Sequence, residues 1–532
     1  MSLHPLQFTC SNHGVSVSEW TAERLQELVL SAAGGQVMVV SCREPYSHEH
    51  TAQGVRVTSP ASGLVTALEP IVRACGGTWI AYASGSADAA FVDADGVCQV
   101  PPNNPEYSLR RVWLEDEEKR HFLDGFANDS LWPMCHRCDV QPTFRASDWR
   151  HYQRVNQRFA EAVVQAATQP DPLVLVQDYH FALLPQLIRA HLPSATVVAF
   201  WHIPWPARDQ LEACPWWRAL VRGLMSSTIV GFQTARDQAH FEAAVAVCQT
   251  RSQSGTSLKV VADAGEAAEA VQASARPVVA AYPISVPWPT QREMEQMPSV
   301  ADCRSQVLRD NGLARHVRLI VGVDRFDYTK GLLDKVLAME SMLERHPQWL
   351  GLVSLVQIAA PTRSDVPAYA AYQDLVRAEV ARINRRLGCN GVLPIVLLEA
   401  QHDRHAVCRL YRAACVCAVT SLHDGMNLVS KEFVSVRDDE QGVLVLSAFA
   451  GAAKELQPGA VVVDPRDRIA LADTLVEALA MGPDQQRQRM ARMRQVVHQA
   501  NIYQWAGTML SDAAVLRRAA DEEVFAAWSE VA

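Results

Sequence analysis

The 532-residue sequence predicts an α/β protein of two Rossmann-like, doubly wound domains facing each other across a cleft. Three observations lead there. Short β-branched runs alternate with longer amphipathic stretches along nearly the whole chain, the order of a parallel sheet flanked by helices. The alternation comes as two series, the second beginning near Arg318, and two successive open sheets leave a cleft where their strand ends face. Between them, Val286-Pro-Trp-Pro-Thr-Gln-Arg-Glu-Met-Glu-Gln-Met-Pro mixes prolines with polar residues and breaks the pattern. The boundary is therefore expected at residues 286–300, with 1–300 as the first domain and 301–532 as the second.

In the first series, Val37–Val40, Leu173–Val176, Thr196–Phe200 and Ile229–Phe232 are apolar runs of strand length, suited to burial on both faces. Leu64–Arg73, Asp148–Gln165, Phe181–Leu192 and Trp216–Met225 carry helical patterns between them. The Ala-, Ser- and Gly-rich stretch Thr250–Arg276 has no periodicity and is expected to be a surface excursion. In the second series the strands are expected at Leu319–Val323, Leu352–Ile358, Val392–Leu398, Val416–Thr420, Val443–Leu446 and Val461–Val463. Val366–Arg386 has apolar positions at three- and four-residue steps, which predicts a long helix. From Asp484 onward the chain reads as helix without strands, expected to pack back on the first domain, with no room for a further phosphatase domain.

Composition narrows the function classes. There are 49 Lys and Arg against 58 Asp and Glu, a formal charge of −9, which disfavours nucleic acid or an anionic membrane as the main partner. No apolar stretch reaches the ~18 residues that span a bilayer, and the start of the chain lacks the regions of a signal peptide. Thirteen scattered cysteines suit free thiols in a reducing cytoplasm rather than a disulfide framework. A soluble cytoplasmic enzyme is expected.

Chemistry is concentrated where strands give way to loops. In Val321-Gly-Val-Asp-Arg-Phe-Asp-Tyr-Thr-Lys-Gly-Leu332 a buried strand ends just before Arg325 and Lys330. An Arg fork and a Lys point charge at that edge suit a diphosphate and could stabilise charge on it as it departs. The same residues would also suit a solvated turn with an Asp–Arg pair. Ser421-Leu-His-Asp-Gly-Met-Asn-Leu-Val-Ser-Lys-Glu432 again follows a buried strand. Asp424 and Gly425 occupy the turn, a helix begins near Asn427 with N–H groups free for an anion or hydroxyl, and Glu432 is placed to accept hydrogen bonds from a ribose; an N-cap with a surface Glu fits equally. Asp178 and His202 stand at two strand ends of the first half and could face one cleft. Arg363 and Arg43 are cations in loops after strands, and Gly63 opens a helix. Cys135-His-Arg-Cys138 is a lone C-x-x-C without a second half. His48-Glu-His50 lacks metalloprotease spacing, and no Walker A loop, G-x-G-x-x-G turn or Gly-x-Ser-x-Gly elbow occurs.

Taken in order, Phe126-Ala-Asn-Asp-Ser-Leu-Trp-Pro133, Tyr152-x-x-Val-Asn-x-Arg-Phe-Ala160, Gln177-Asp-Tyr-His180, His202-Ile-Pro-Trp-Pro206, Asp324-Arg-Phe-Asp-Tyr-Thr-Lys-Gly331, Asp424-Gly-Met-Asn-Leu-Val-Ser-Lys-Glu432 and Phe449-Ala-Gly-Ala-Ala453 span most of the chain. Together they resemble the trehalose-6-phosphate synthase family of retaining, metal-independent glycosyltransferases. The resemblance implies a GT-B-like fold, with the nucleotide sugar on the second domain and a phosphorylated acceptor on the first. It implies that Arg325 and Lys330 hold the donor diphosphate, and that Glu432 binds the ribose beside the Met426, Asn427 and Leu428 backbone. Asp424 and His202 would hold hydroxyls of the transferred glucose. Asp178 would lie beside the acceptor, Arg43 and Arg363 would bind its phosphate, Trp132 would form part of its wall, and Gly63 would belong to a loop closing over the donor. No metal and no cofactor is implied; the partners are small molecules, with a homo-oligomer left open.

Two departures fall on the acceptor side. Tyr82 stands where the family has an acceptor-contacting Trp, and Leu123 replaces a Tyr and cannot donate to a phosphate. The donor motifs are intact, and transfer of glucose to glucose 6-phosphate, giving α,α-trehalose 6-phosphate, is the leading expectation from the resemblance. A glucosylglycerol-phosphate synthase using glycerol 3-phosphate, an enzyme coupling cyclitols and a catalytically silent sugar-phosphate sensor are the alternatives. The donor base is left open among uridine, adenosine and guanosine.

Overall fold

A computed structural model describes residues 20–32, 36–59, 63–137, 140–252, 276–364 and 366–531. The strands of the first half are β1 (Val37–Ser41), β2 (Ser47–Thr51), β3 (Gly54–Thr58), β4 (Thr78–Tyr82), β5 (Val97–Val100), β6 (Tyr107–Val112), β7 (Leu173–Gln177), β8 (Thr196–Trp201), β9 (Ile229–Phe232) and β10 (Val278–Ala281). β2 and β3 form a separate antiparallel hairpin. The others make one sheet in the order β10-β9-β8-β7-β1-β4-β6-β5, parallel except where β5 runs against β6. Helices cover both faces. Along β1, Val37 and Val39 enter one core while Met38 and Val40 enter the other, the two-residue period of a strand buried on both sides.

The second half holds β11 (Arg318–Arg325), β12 (Val353–Ala360), β13 (Ile395–Leu398), β14 (Val416–Val419), β15 (Val443–Ser447) and β16 (Val461–Val463). They form an all-parallel sheet ordered β13-β12-β11-β14-β15-β16. In each sheet the chain winds out from one strand and returns to its other side, between β1 and β7 in the first and between β11 and β14 in the second. Such reversals open a crevice at the carboxyl ends of the strands. They are where Arg43 and Asp178, and then Arg325 and Asp424, leave their strands.

One apolar core runs continuously from the first sheet through Tyr282, Ile284 and Val286 of the connection into the second domain. The connection is tied down from the second domain by the buried Lys431 ammonium, which donates to the Ile284 carbonyl at 2.7 Å and pairs with Glu455 at 2.6 Å. The C-terminal helices divide their attachment. Pro483–Gln499 stays on the second domain, where Arg494 donates to the Val434 and Ser435 carbonyls. Only Ile502–Val531 crosses back: Trp505 Nε1 donates to the Tyr282 carbonyl and its ring meets Phe200 edge-on at 5.1 Å. The return thus begins near residue 500 rather than at Asp484.

Several elements differ from the pattern read in the sequence. β6 reads poorly as a strand because of its Arg110-Arg111 pair, yet Arg111 is buried and satisfied by Glu44 and Asp88 at 3.0 and 2.8 Å. The helix expected from Phe181 starts at Leu184, with Pro185 in its first turn, after a short turn at Tyr179–Phe181. The Phe126–Pro133 segment lies on a π-helix, Arg120–Leu131, followed by the helix Trp132–His136. Most of the Thr250–Arg276 stretch lies outside the described residues. The eleven described cysteines are all free thiols, and no helix among the described residues is long and apolar enough to cross a membrane.

Gly331 shows how tightly the second switch point is built. Its φ is +62°, and a Cβ there would stand 2.1 Å from the Thr420 carbonyl oxygen at the end of the neighbouring strand. Gly331→Ala should therefore lose at least about 2 kcal/mol, seen as a melting temperature several degrees lower; an unchanged melting curve would contradict this packing.

Candidate active site

Arg43, Asp178 and Asp424 follow strands at the two switch points and Arg325 ends one; His202 and Arg363 follow the adjacent strands β8 and β12, and Gly63, Trp132 and Glu432 lie on helices. After β11, the Asp327 side chain accepts from Thr329 N–H at 3.0 Å and caps the short turn Tyr328–Lys330. Lys330 then points to Asp424 in the loop after β14, at 2.7 Å. The same Asp424 oxygen accepts from Ser421 Oγ at 3.1 Å and Asn427 Nδ2 at 3.2 Å. Burial alone would raise the Asp424 carboxyl, but Lys330 outweighs it and holds the group at about 2. Asn427 takes a left-handed conformation, its side chain accepts from Ser430 N–H, and the helix Leu428–Ser435 carries Glu432 one turn on. Tyr411 donates to Glu432 at 3.1 Å, while burial raises that carboxyl.

Three of the six described non-glycine residues with positive φ are Asp178, Arg363 and Asn427. Strained backbone of this kind persists only where the surroundings impose it, and it gathers at functional sites. The Asp178 carboxylate accepts from the N–H groups of Tyr179 at 2.9 Å and His202 at 3.3 Å, and burial raises it to about 6. His202 is pushed by burial to about 3, so its ring is neutral. Gln233 spends its carbonyl oxygen on Ile284 N–H and turns its amide towards His202 Nδ1, which places the ring proton on Nε2, facing Gln177 Oε1 at 2.8 Å. Both ring nitrogens are thus engaged within the first domain, and His202 reaches a ligand only by exchanging one of these bonds.

The cations converge from both domains. Arg325 and Arg363, from the ends of the adjacent strands β11 and β12, both lie over the indole of Trp132 from the first domain, at 4.9 and 4.2 Å from its centroid. Arg363 also donates to Tyr369 at 2.5 Å and, across the cleft, to Tyr179 at 3.1 Å. Arg43 is open to solvent yet walled by protein. That enclosure lowers its guanidinium pKa, and Arg325 and Arg363 add to the effect, so the three guanidiniums lie within electrostatic reach of one another. Behind them Asp327 is wholly buried, 3.6 Å from Arg325 and 4.0 Å from Arg363.

The domains also touch directly. A Cβ on Gly425 would stand 2.2 Å from the His202 carbonyl oxygen, and one on Gly63 would lie 3.1 Å from Leu428 Cδ1. Only a glycine at 425 lets the two backbones approach this closely. The structure therefore gathers Arg43, Trp132, Asp178, Arg325 and Arg363 on one side, and Gly63, His202, Lys330, Asp424 and the Met426–Leu428 turn on the other. Glu432 lies one turn beyond. Tyr82 is half-buried beside Cys42, its phenol pushed by burial to about 12. Leu123 packs against the core of the first domain. Among the described residues no three His, Cys, Asp or Glu side chains cluster as metal ligands do.

Several participants have no sequence signal of their own. His136 stacks on Trp132 at 4.0 Å, and Arg236 crosses the interface to His423 Nε2 at 2.9 Å. Tyr369 and Tyr411 orient charged partners through hydroxyls that resemble ordinary core tyrosines in the sequence, and Tyr179 does the same from within the Gln177–His180 segment. Asp327 sits inside a recognised segment, where spacing alone leaves it indistinguishable from a surface acid.

Two parallel α/β domains whose switch points meet across a cation-lined cleft define a GT-B-type glycosyltransferase. The chain belongs to glycosyltransferase family 20, whose profile matches residues 35–515. It is 33% identical over 497 residues to a bifunctional trehalose-6-phosphate synthase/phosphatase of Thermoproteus tenax, covering 92% of this chain but 65% of that protein's length. A crystal structure of a UDP-forming α,α-trehalose-phosphate synthase from Burkholderia xenovorans in complex with glucose-6-phosphate superposes with a TM-score of 0.74 at 30% identity, covering 90% of this chain and all of that one. The E. coli protein described as trehalose-6-phosphate bound with UDP-2-fluoro glucose gives 0.74 at 28% identity, over 90% and 99% of the two chains.

The raised Asp178 carboxyl has a measurable consequence. Between pH 3.8 and about 6 the folded chain holds a proton that the unfolded chain has lost, so the contribution of Asp178 to stability falls as pH rises through that window. Asp178→Asn should melt higher than the wild type at pH 7.5, with the advantage shrinking towards pH 4. An equal difference at both pH values would contradict the assignment.

Proposed function

We propose that the protein transfers glucose from UDP-glucose to glucose 6-phosphate with retention, giving α,α-trehalose 6-phosphate. One observation carries this reading furthest: Arg325 and Arg363 come from neighbouring strands of one domain and rest on the same indole of the other. Two anionic groups can therefore be held side by side in one cleft, as a nucleotide diphosphate and a sugar phosphate require. The complexes of the Burkholderia xenovorans and E. coli proteins support the choice of ligands.

On this reading Arg325 and Lys330 bind the donor diphosphate, Glu432 the ribose, and the Met426, Asn427 and Leu428 backbone lies beside it. Asp424 and His202 hold glucose hydroxyls, and Gly63 belongs to the segment closing over the donor. Arg43 and Arg363 bind the acceptor phosphate, Trp132 and Tyr82 line its site, and Asp178 lies beside the acceptor sugar. The bond between glucose C1 and the diphosphate oxygen breaks as the acceptor hydroxyl attacks from the same face. Its proton passes to the leaving phosphate oxygen. Charge growing on that leaving group is met by Arg325 and Lys330, so the reaction is proposed to need neither a metal ion nor a carboxylate pair. Both proposed substrates are phosphorylated and polar, and the protein is proposed to act in the cytoplasm.

The test is turnover with UDP-, ADP- and GDP-glucose against glucose 6-phosphate and glycerol 3-phosphate, with the product identified by mass. Trehalose 6-phosphate from UDP-glucose is expected; a glycerol product would move the acceptor assignment, and no turnover with any pair would favour a sensor. Arg363→Ala should raise the acceptor KM at least about tenfold, and Arg325→Ala should lower kcat/KM for the donor about a hundredfold. Near wild-type kinetics in either variant would remove that residue from its role.

A further inference from the structure

Asp327 stands behind the cation cluster in an unusual way. Its Oδ1 accepts from both the backbone N–H and the hydroxyl of Thr329, each at 3.0 Å, which fixes the side chain. Its Oδ2 is buried and has no hydrogen-bond partner, yet it looks onto Arg325 at 3.6 Å and Arg363 at 4.0 Å. A buried carboxylate left without hydrogen bonds is normally destabilising. Burial pushes Asp327 towards protonation, but Arg325, Arg363, Lys330 and the Thr329 N–H together hold it below its ordinary value.

The distances explain what such an arrangement can do. At 2.8 Å the carboxylate would consume the N–H forks of its arginines, as Asp439 does those of Arg437 elsewhere in the chain. At 3.6 to 4.0 Å it attracts both guanidiniums without taking their N–H donors; Arg363 spends one on Tyr369 and one on Tyr179 and keeps its other N–H groups for another anion. Without it, Arg43, Arg325 and Arg363 would repel one another with less to oppose them. We propose that Asp327 is the shared positioning residue of Arg325 and Arg363, coupling the diphosphate and acceptor-phosphate sites through one buried carboxylate. The proposal rests on the assignment of those two arginines under Proposed function. It goes beyond that assignment in making the two sites interdependent: a ligand that orders one arginine against Asp327 and Trp132 orders the frame of the other.

Asp327→Asn separates positioning from simple charge. Asparagine keeps an acceptor for Thr329 and removes the negative charge. If Asp327 acted only through its charge, the variant would bind isolated anions more tightly, because the cluster becomes more positive. The proposal predicts the reverse. By calorimetry, UDP and glucose 6-phosphate should each bind about tenfold more weakly. In the wild type, UDP should tighten glucose 6-phosphate binding about fivefold or more, and in the variant that factor should fall to near one. Loss of the coupling factor is a readout that a generally loosened fold would not produce selectively, and the melting temperature of the variant checks the fold. Thr329→Val, which removes one of the two hydrogen bonds that fix the carboxylate but keeps the backbone N–H and the charge, should shift both affinities in the same direction by less, and serves if Asp327→Asn does not fold. A parallel titration with inorganic phosphate in place of glucose 6-phosphate distinguishes a wrong acceptor from a wrong anchor. If wild-type turnover fails while the phosphate–UDP coupling and its loss in Asp327→Asn persist, the reaction assignment falls and the anchor stands. Equal or tighter binding in the variant, with the coupling factor unchanged, overturns the proposal.

Discussion

Three guanidiniums in one cleft are possible only because something opposes their repulsion. In this protein two groups in direct contact with Arg325 and Arg363 oppose it, the buried Asp327 carboxylate on one side and the Trp132 indole on the other, with the Asp178 carboxylate adding to them. Asp327 and Trp132 belong to different domains, so the cation cluster exists only when the domains are together. The direct approach of Gly425 to the His202 backbone and the bridge from Arg363 to Tyr179 follow the same geometry. Electrostatics and domain arrangement are thus one constraint, met at the place where both sheets reverse their winding.

The sheets supply the precision. Parallel strands buried on both faces end at fixed heights, and the loops that follow are short enough for Gly331, Asp178 and Asn427 to hold unusual backbone conformations. Asp424 gathers Lys330, Ser421 and Asn427 on one oxygen, which fixes a cation beside a helix start. An N-terminal helix end and a paired ammonium together make a local environment for a charged phosphate in a chain whose overall charge is −9. The net charge bears on polyanions met across a surface; it has little to say about a small anion inside a cleft.

Much of this is legible in the sequence. The β1, β7, β8 and β9 runs, and β11, β12, β14 and β15 of the second domain, announce themselves because a strand buried on both faces must be almost continuously apolar, and the edge strands β13 and β16 are aliphatic enough to be read with them. Other strands of the first half do not. β5, β6 and β10 are shorter, more polar or half exposed, and β6 hides its Arg111 in an ion network that spacing cannot reveal. In the site, the residues that carry charge into the cleft stood out as cations and acids after buried strands. Those that hold them in place did not: Asp327 reads as one more acid in a loop, and the hydroxyls of Tyr179 and Tyr369 gain their meaning only from distances across the fold. His202 shows the remaining gap, since its two glutamine partners lie 25 and 31 residues from it in sequence and only folding brings them to its ring.

The central claim is that one cluster of cations, assembled by both domains, holds two phosphorylated ligands at once. A crystal structure of the protein with UDP and glucose 6-phosphate together tests it most directly. The account predicts the diphosphate on Arg325 and Lys330 and the sugar phosphate on Arg363 and Arg43, with Asp327 still facing both arginines and Trp132 between the domains. A sugar phosphate bound away from Arg363, or two ligands that exclude each other from the cleft, would contradict it.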